Sequence, residues 1–94
     1  MPSKIVLSPK FRRAYRKFTR RNRTLQKSVD DTILAMELDP FAPFLETHKL
    51  LGEYLGLLGC SCGFDCRIVF RIERDATGIQ TLILTDIGTH DDVY

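Results

Sequence analysis

Asp65-Cys66-Arg67-Ile68-Val69-Phe70-Arg71-Ile72-Glu73 is the stretch that organises the chain. Cys66, Ile68, Phe70 and Ile72 fall on one face at period two, and Arg67, Val69, Arg71 and Glu73 on the other. That alternation predicts a half-buried strand. Its β-branched and aromatic residues suit a pleated surface. The strand is expected at the centre of a small sheet, with helices on one face and Arg67 and Arg71 held out from a free second face.

The segments on either side extend this reading. Upstream, Gly63-Phe64-Asp65 reads as a tight connection from a strand around Leu57–Cys62. Downstream, Arg74-Asp75-Ala76-Thr77-Gly78 has hairpin-turn composition. It leads into a last strand from Gln80 to Ile87 and a tail, Gly88-Thr89-His90-Asp91-Asp92-Val93-Tyr94. At the other end, Lys4-Ile5-Val6-Leu7-Ser8 is a short strand apolar enough for the sheet interior. Ser8-Pro9 then pairs an N-cap with proline at the first helical position. Phe11, Ala14, Tyr15 and Phe18 form one helical face. This helix is expected to end near Asn22. A second, capped by Thr24, carries the stripe Leu25, Val29, Ile33 and Met36. Pro40 and Pro43 terminate it, and Phe41 and Phe44 are expected to fold back on the core. The order is β-α-α-β-β-β. It predicts an α+β fold, an N-terminal helical hairpin packed on one face of a small, mostly antiparallel sheet, with residues 1–94 as a single domain.

Charge is divided unevenly. The net charge is only +2, yet residues 1–29 hold ten cations and no acid, while all twelve acids lie in residues 30–94. Like charges at helical i,i+4 spacing repel. A polyanion, either nucleic acid or an acidic protein segment, would relieve that repulsion. No apolar run reaches the roughly 20 residues that span a bilayer, and the first residues lack a signal-peptide apolar stretch. The expectation is a cytoplasmic protein with no membrane partner. Cys60, Cys62 and Cys66 are odd in number, which argues against a secreted disulfide framework. Zinc would require a fourth ligand. The cysteines are expected as small buried apolar residues.

With these elements in order, the chain resembles the RelE/ParE superfamily of toxins from bacterial toxin–antitoxin pairs. The resemblance rests on the basic first helix, Asp65-Cys66-Arg67 ahead of an apolar strand, His48-x-Leu50-x-Gly52, and the tail Gly88-Thr89-His90-x-x-x-Tyr94. It covers nearly the whole chain and looks closest to the YafQ-like and RelE/StbE-type branches. It implies an endoribonuclease (an mRNA interferase) that cuts messenger RNA in the ribosomal A site with no metal or other cofactor. It also implies a cognate antitoxin that wraps the toxin, in a complex that can be of higher order. Carried over by position, it marks His48, Asp65, His90 and Tyr94 as matches to YafQ-type functional residues, and Arg67 and Tyr94 as matches to RelE-type ones. Departures stand at Leu58, Gly59 and Ser61, where relatives carry tryptophan, aspartate and histidine. A lysine pair of RelE is reduced to Lys49.

Metal-free RNA cleavage drives the 2′-OH onto the adjacent phosphorus. It needs a proton acceptor, a proton donor and positive charge at the phosphorane. His48 and His90 are the side chains suited to exchange protons near neutral pH. For His48 the alternatives are packing on Phe44 or touching phosphate. Arg67 matches phosphate oxygens with its fork, or else forms an ion pair with Asp65, Glu73 or Asp86. Asp65 either orients a histidine or closes the turn. Tyr94 is a base-stacking or proton-handling group, or a frayed terminus. Lys10, Arg12, Arg13, Arg16, Lys17, Arg20, Arg21, Lys49 and Arg71 are candidate contacts to phosphate or ribosomal RNA. Two rival readings use the same features: a ParE-like toxin that binds DNA gyrase without RNA chemistry, and a non-catalytic basic binding domain.

Overall fold

The computed structural model describes residues 2–94. Strand β1 (Lys4–Leu7) leads into helices α1 (Pro9–Phe18) and α2 (Arg23–Leu38). Four further strands follow: β2 (His48–Lys49), β3 (Leu58–Gly63), β4 (Cys66–Arg74) and β5 (Gln80–Gly88). A single turn of helix, α3 (His90–Val93), closes the chain. The sheet order is β1-β5-β4-β3-β2, with β1 parallel to β5 and every other pairing antiparallel. The α+β architecture expected from sequence is present, with five strands rather than four. The added strand is the two-residue pairing of His48 and Lys49 with Gly59 and Leu58, too short to give a periodic signal. The first strand lies at an edge, not inside the sheet, and Val6 is half exposed there.

Local chemistry explains the helices. Ser8 accepts a hydrogen bond from the Phe11 N–H at 3.0 Å, with Pro9 at the first helical position. Thr19 closes α1, so this helix stops short of Asn22. Asn22, rather than Thr24, caps α2 by accepting from the Leu25 N–H. Its side-chain carbonyl satisfies an otherwise orphaned donor. The Tyr15 hydroxyl donates to Asp30 across the helical hairpin at 2.7 Å.

The main core lies between helices and sheet. Phe11, Val29, Met36, Ile68, Phe70, Leu82 and Leu84 are buried there. Ile72 packs at its edge, as the β4 alternation predicts. Phe41 and Phe44 are exposed, and Leu45 takes the buried place instead. Prolines at 40 and 43 end the helix but do not dictate which apolar side chain turns inward.

The three cysteines are buried, but Cys62 and Cys66 are joined as a disulfide across the β3–β4 hairpin, leaving Cys60 free. The odd count concealed a pair, because the Gly63–Asp65 turn brings residues four apart face to face. The second sheet face is also not free. Leu50, Val69 and Val93 are buried on it, with Tyr54, Leu57 and Tyr94 packed around them.

Candidate active site

The second face carries a cavity of about 250 Å³ lined by Glu46, His48, Ser61, Arg67, His90 and Tyr94. These residues come from the loop before β2, from β2, β3 and β4, and from the C-terminal turn. Four of the five catalytic candidates named from sequence therefore meet in one hollow. Asp65 supports it from behind. Its carboxylate accepts from the His90 backbone N–H at 3.1 Å, so it fixes where α3 begins. It also occupies the left-handed turn position, at φ 49°, a conformation that aspartate tolerates better than most residues. Asp65 thus stands at the turn and meets the His90 backbone rather than its ring.

Arg67 is held by its own hairpin. Its Nη1 donates to the Cys66 carbonyl at 2.8 Å and to the Gly63 carbonyl at 3.3 Å. Among the described residues it forms no ion pair with Asp65, Glu73 or Asp86. No ion pair holds its charge among the described residues, so an anion entering the cavity could meet it.

His48 contacts the Glu46 carbonyl through Nδ1 at 3.0 Å. A carbonyl only accepts, so the proton sits on Nδ1 and the neutral ring keeps its Nε2 lone pair open. The ring packs edge-on against Tyr94 at 5.7 Å, not against Phe44. Glu46, absent from the sequence-derived set, lines the same cavity with a φ of 53°. That backbone conformation is unfavourable for glutamate, and strain of this kind gathers at functional sites. Its spacing of two residues from His48 was the available signal.

The tail is built to stay in place. Thr89 accepts from the Asp92 N–H and Asp92 from the Thr89 N–H, a capping box on a single turn. Gly88 permits the close approach, since a Cβ there would lie 2.9 Å from the Asp92 Cβ. Gly59 does the same for Tyr94, because a Cβ at 59 would run into the Tyr94 hydroxyl and ring. Tyr94 is therefore not frayed. Its ring stands edge-on to both imidazoles, with His90 at 4.9 Å. The Tyr94 hydroxyl is buried without a hydrogen-bond partner among the described residues. Burial raises its pKa, with the neighbouring Cys60 adding to the rise and Arg67 opposing it. In this arrangement the hydroxyl keeps its proton, and the ring acts as a spacer between the histidines.

The wider cation set divides. Arg12, Arg13, Arg16, Lys17, Arg20 and Arg21 are exposed. Lys17 lines a groove with Asp92 where α1 passes the tail, and that groove shares no residue with the candidate site. Lys10 is instead paired with Asp86 at 3.4 Å. Arg71 is paired with Glu73 at 3.1 Å and does not line the cavity, despite sharing the Arg67 face. Lys49 is exposed beside His48. A larger hollow of about 500 Å³ opens between α1, α2 and β1, with Arg12, Arg16 and Asp30 around a lining of Leu7, Phe11, Tyr15 and Ile33. Among the described residues no cluster of three or more His, Cys, Asp or Glu is arranged to hold a metal ion. No helix among them is long and apolar enough to cross a membrane.

Comparison with solved structures shows that this fold is shared with toxins of the YoeB/ParE, YafQ and RelBE2 kinds. A YoeB/ParE toxin from Agrobacterium tumefaciens aligns with a TM-score of 0.75 at 21% identity, covering 93% of this chain and 98% of that one. YafQ from E. coli aligns at 0.71 and 16% identity, covering 98% of each chain. The toxin–antitoxin complex RelBE2 from Mycobacterium tuberculosis aligns at 0.69 and 18% identity, covering 96% of this chain and 100% of that one. No family model and no curated protein matches the sequence. The likeness is one of fold, and it spans the YoeB, YafQ and RelE branches without singling out one.

Proposed function

We propose that this chain is the toxin of a type II toxin–antitoxin pair and a ribosome-dependent endoribonuclease that cuts messenger RNA in the A site. The observation that carries the reading is the convergence of His48, Arg67 and His90, from three separate elements, on one cavity. In the proposed reaction the 2′-OH loses its proton to His48 Nε2, the ring being held through Nδ1 by the Glu46 backbone carbonyl. The 2′-oxygen then bonds to phosphorus as the bond from phosphorus to the 5′-oxygen breaks. His90 protonates the departing 5′-oxygen. Arg67 stabilises the charge that develops on the phosphorane oxygens. The products are a 2′,3′-cyclic phosphate and a 5′-OH, and the proton chemistry is assigned to side chains without a metal.

The exposed cations of α1 fit a footprint on ribosomal RNA that depends on charge rather than base sequence, which would place the action in the cytoplasm. The hollow between the helices has an apolar lining, and its two guanidinium groups outnumber the one carboxylate, Asp30, which is taken up by the Tyr15 hydroxyl; an amphipathic segment with acidic residues suits it, and this supports an antitoxin as partner. The test is induced expression with growth measurement and mapping of messenger RNA 5′ ends. Wild type is expected to arrest growth and create new 5′ ends within coding sequences, and His90→Ala to do neither. Cleavage that survives His90→Ala would overturn the assignment. Growth arrest with intact messenger RNA and damaged DNA would favour a gyrase-directed toxin.

A further inference from the structure

A second hollow of about 240 Å³ adjoins the candidate active site. It is lined by His48, Lys49, Leu50, Leu51, Tyr54 and Tyr94. His48 and Tyr94 border both cavities, so the Tyr94 ring is the partition between them. The two sides differ in chemistry. The site holds Glu46, Arg67 and His90, while its neighbour has an apolar and aromatic lining with one ammonium group, Lys49. Leu50 is 6% exposed and Leu51 81% exposed. Leu50 therefore serves as floor and Leu51 as a bare apolar rim. The loop that builds this wall is ordered by its own backbone. The Tyr54 N–H donates to the Leu51 carbonyl and the Leu57 N–H to the Tyr54 carbonyl.

A flat apolar ligand carrying negative charge fits that lining. An RNA strand with one phosphate at Arg67 must continue beyond the site, and this is an open hollow bordering it with a cation at its edge. We infer that it is a subsite for the nucleotide next to the scissile phosphate, with the base seated on Tyr54 and Leu51 and its phosphate at Lys49. The inference rests on the RNA-cleaving reading and adds Tyr54 and Leu51 as residues that grip the strand. Stacking on an aromatic side chain strengthens binding by about tenfold per base.

The experiment is an NMR titration of the labelled full chain with two probes. One is a 2′-deoxynucleoside 3′-monophosphate. The other is an RNA trinucleotide made uncleavable by a 2′-deoxy substitution. The mononucleotide is expected to move the His48 and His90 ring signals and leave the Leu51 methyls unmoved. The trinucleotide is expected to move the Leu51 methyl and Tyr54 ring signals as well. Tyr54→Ala should weaken trinucleotide binding about tenfold while leaving mononucleotide binding unchanged, and Tyr54→Phe should restore it. Leu51→Glu, at an exposed position that folding does not depend on, should weaken the trinucleotide selectively by charge repulsion. If the trinucleotide moves both histidines but neither Leu51 nor Tyr54, the subsite is overturned and the RNA-cleaving reading stands. If neither probe moves a histidine, the subsite is overturned, while the RNA-cleaving reading stands or falls separately by the mapping of messenger RNA 5′ ends.

Discussion

The two faces of the sheet share their strands but are built on opposite terms. On the helix-covered face, Phe11, Met36, Ile68, Phe70, Leu82 and Leu84 are all fully buried. On the other face a small cluster around Leu50, Val69 and Val93 supports a polar cavity. Strand β4 serves both, alternating between Ile68 and Phe70 in one direction and Arg67 and Val69 in the other. The first face holds the fold together by removing apolar area from water. The second has little apolar area to spare, and it fixes its functional groups by short-range devices: a capping box, a carboxylate on a backbone N–H, and glycines that admit a tyrosine and a helical turn.

If that division is correct, damage to one face should not resemble damage to the other. Phe70→Ala should destabilise the protein by about 3–5 kcal/mol in denaturant unfolding, with activity lost only in proportion to the folded fraction. Arg67→Ala should do the reverse. Messenger RNA cleavage should fall by about 10²–10³-fold, while the denaturation midpoint shifts by less than about 1 kcal/mol equivalent. A large loss of stability in Arg67→Ala would mean that the arginine is structural.

The free cysteine gives the covered face a pH signature. Burial pushes the Cys60 thiol up to about 12 from an ordinary value of 9.0, against a smaller opposing pull from Arg67. Between those values the unfolded chain has released a proton that the folded one retains, so stability falls as pH rises. From pH 9 to about 10.5 the loss is expected at about 2 kcal/mol. Tyr94 contributes in the same direction. Unfolding curves across that range should slope less steeply for Cys60→Ala, and equal slopes would remove the thiol from the account. Reduction of the Cys62–Cys66 bond, which closes a loop of only a few residues, should cost about 2 kcal/mol in the chain-entropy treatment. It should also loosen the hairpin that carries Asp65 and Arg67, so hydrogen exchange after a reductant should quicken at residues 63–67 first. The smallest effect belongs to Asp65→Ala. It removes one hydrogen bond to the His90 N–H and should cost about 1 kcal/mol, with faster exchange at that amide as the marker.

Legibility followed signal length. The β4 alternation, the Ser8-Pro9 start of α1 and the Asp75-to-Gly78 turn each carry a local stereochemical rule, and each element stands where its residues predict. Asp75 accepts from the N–H groups of Thr77 and Ile79, as a turn aspartate should. Four of the cavity residues were readable from residue type and resemblance. Glu46 was not, because its relevance depends on a left-handed backbone that places it beside His48. The fate of Phe41 and Phe44 was misread because proline fixes where a helix ends, not which neighbour turns inward. Arg71 lies outside the cavity although it shares the Arg67 face, because a shared strand face does not make a shared hollow.

By itself the sequence determined the alternating strand, the helical faces, the uneven spread of charge and the residue types able to move protons. Those properties repeat along the chain at short range, so local order is enough to express them. Tertiary structure decided what lies across the gaps: β1 at an edge, Cys62 bonded to Cys66, and Tyr94 wedged over Gly59 between two histidines. These depend on atoms from distant segments meeting within a few ångströms, and no period in the sequence encodes such a meeting.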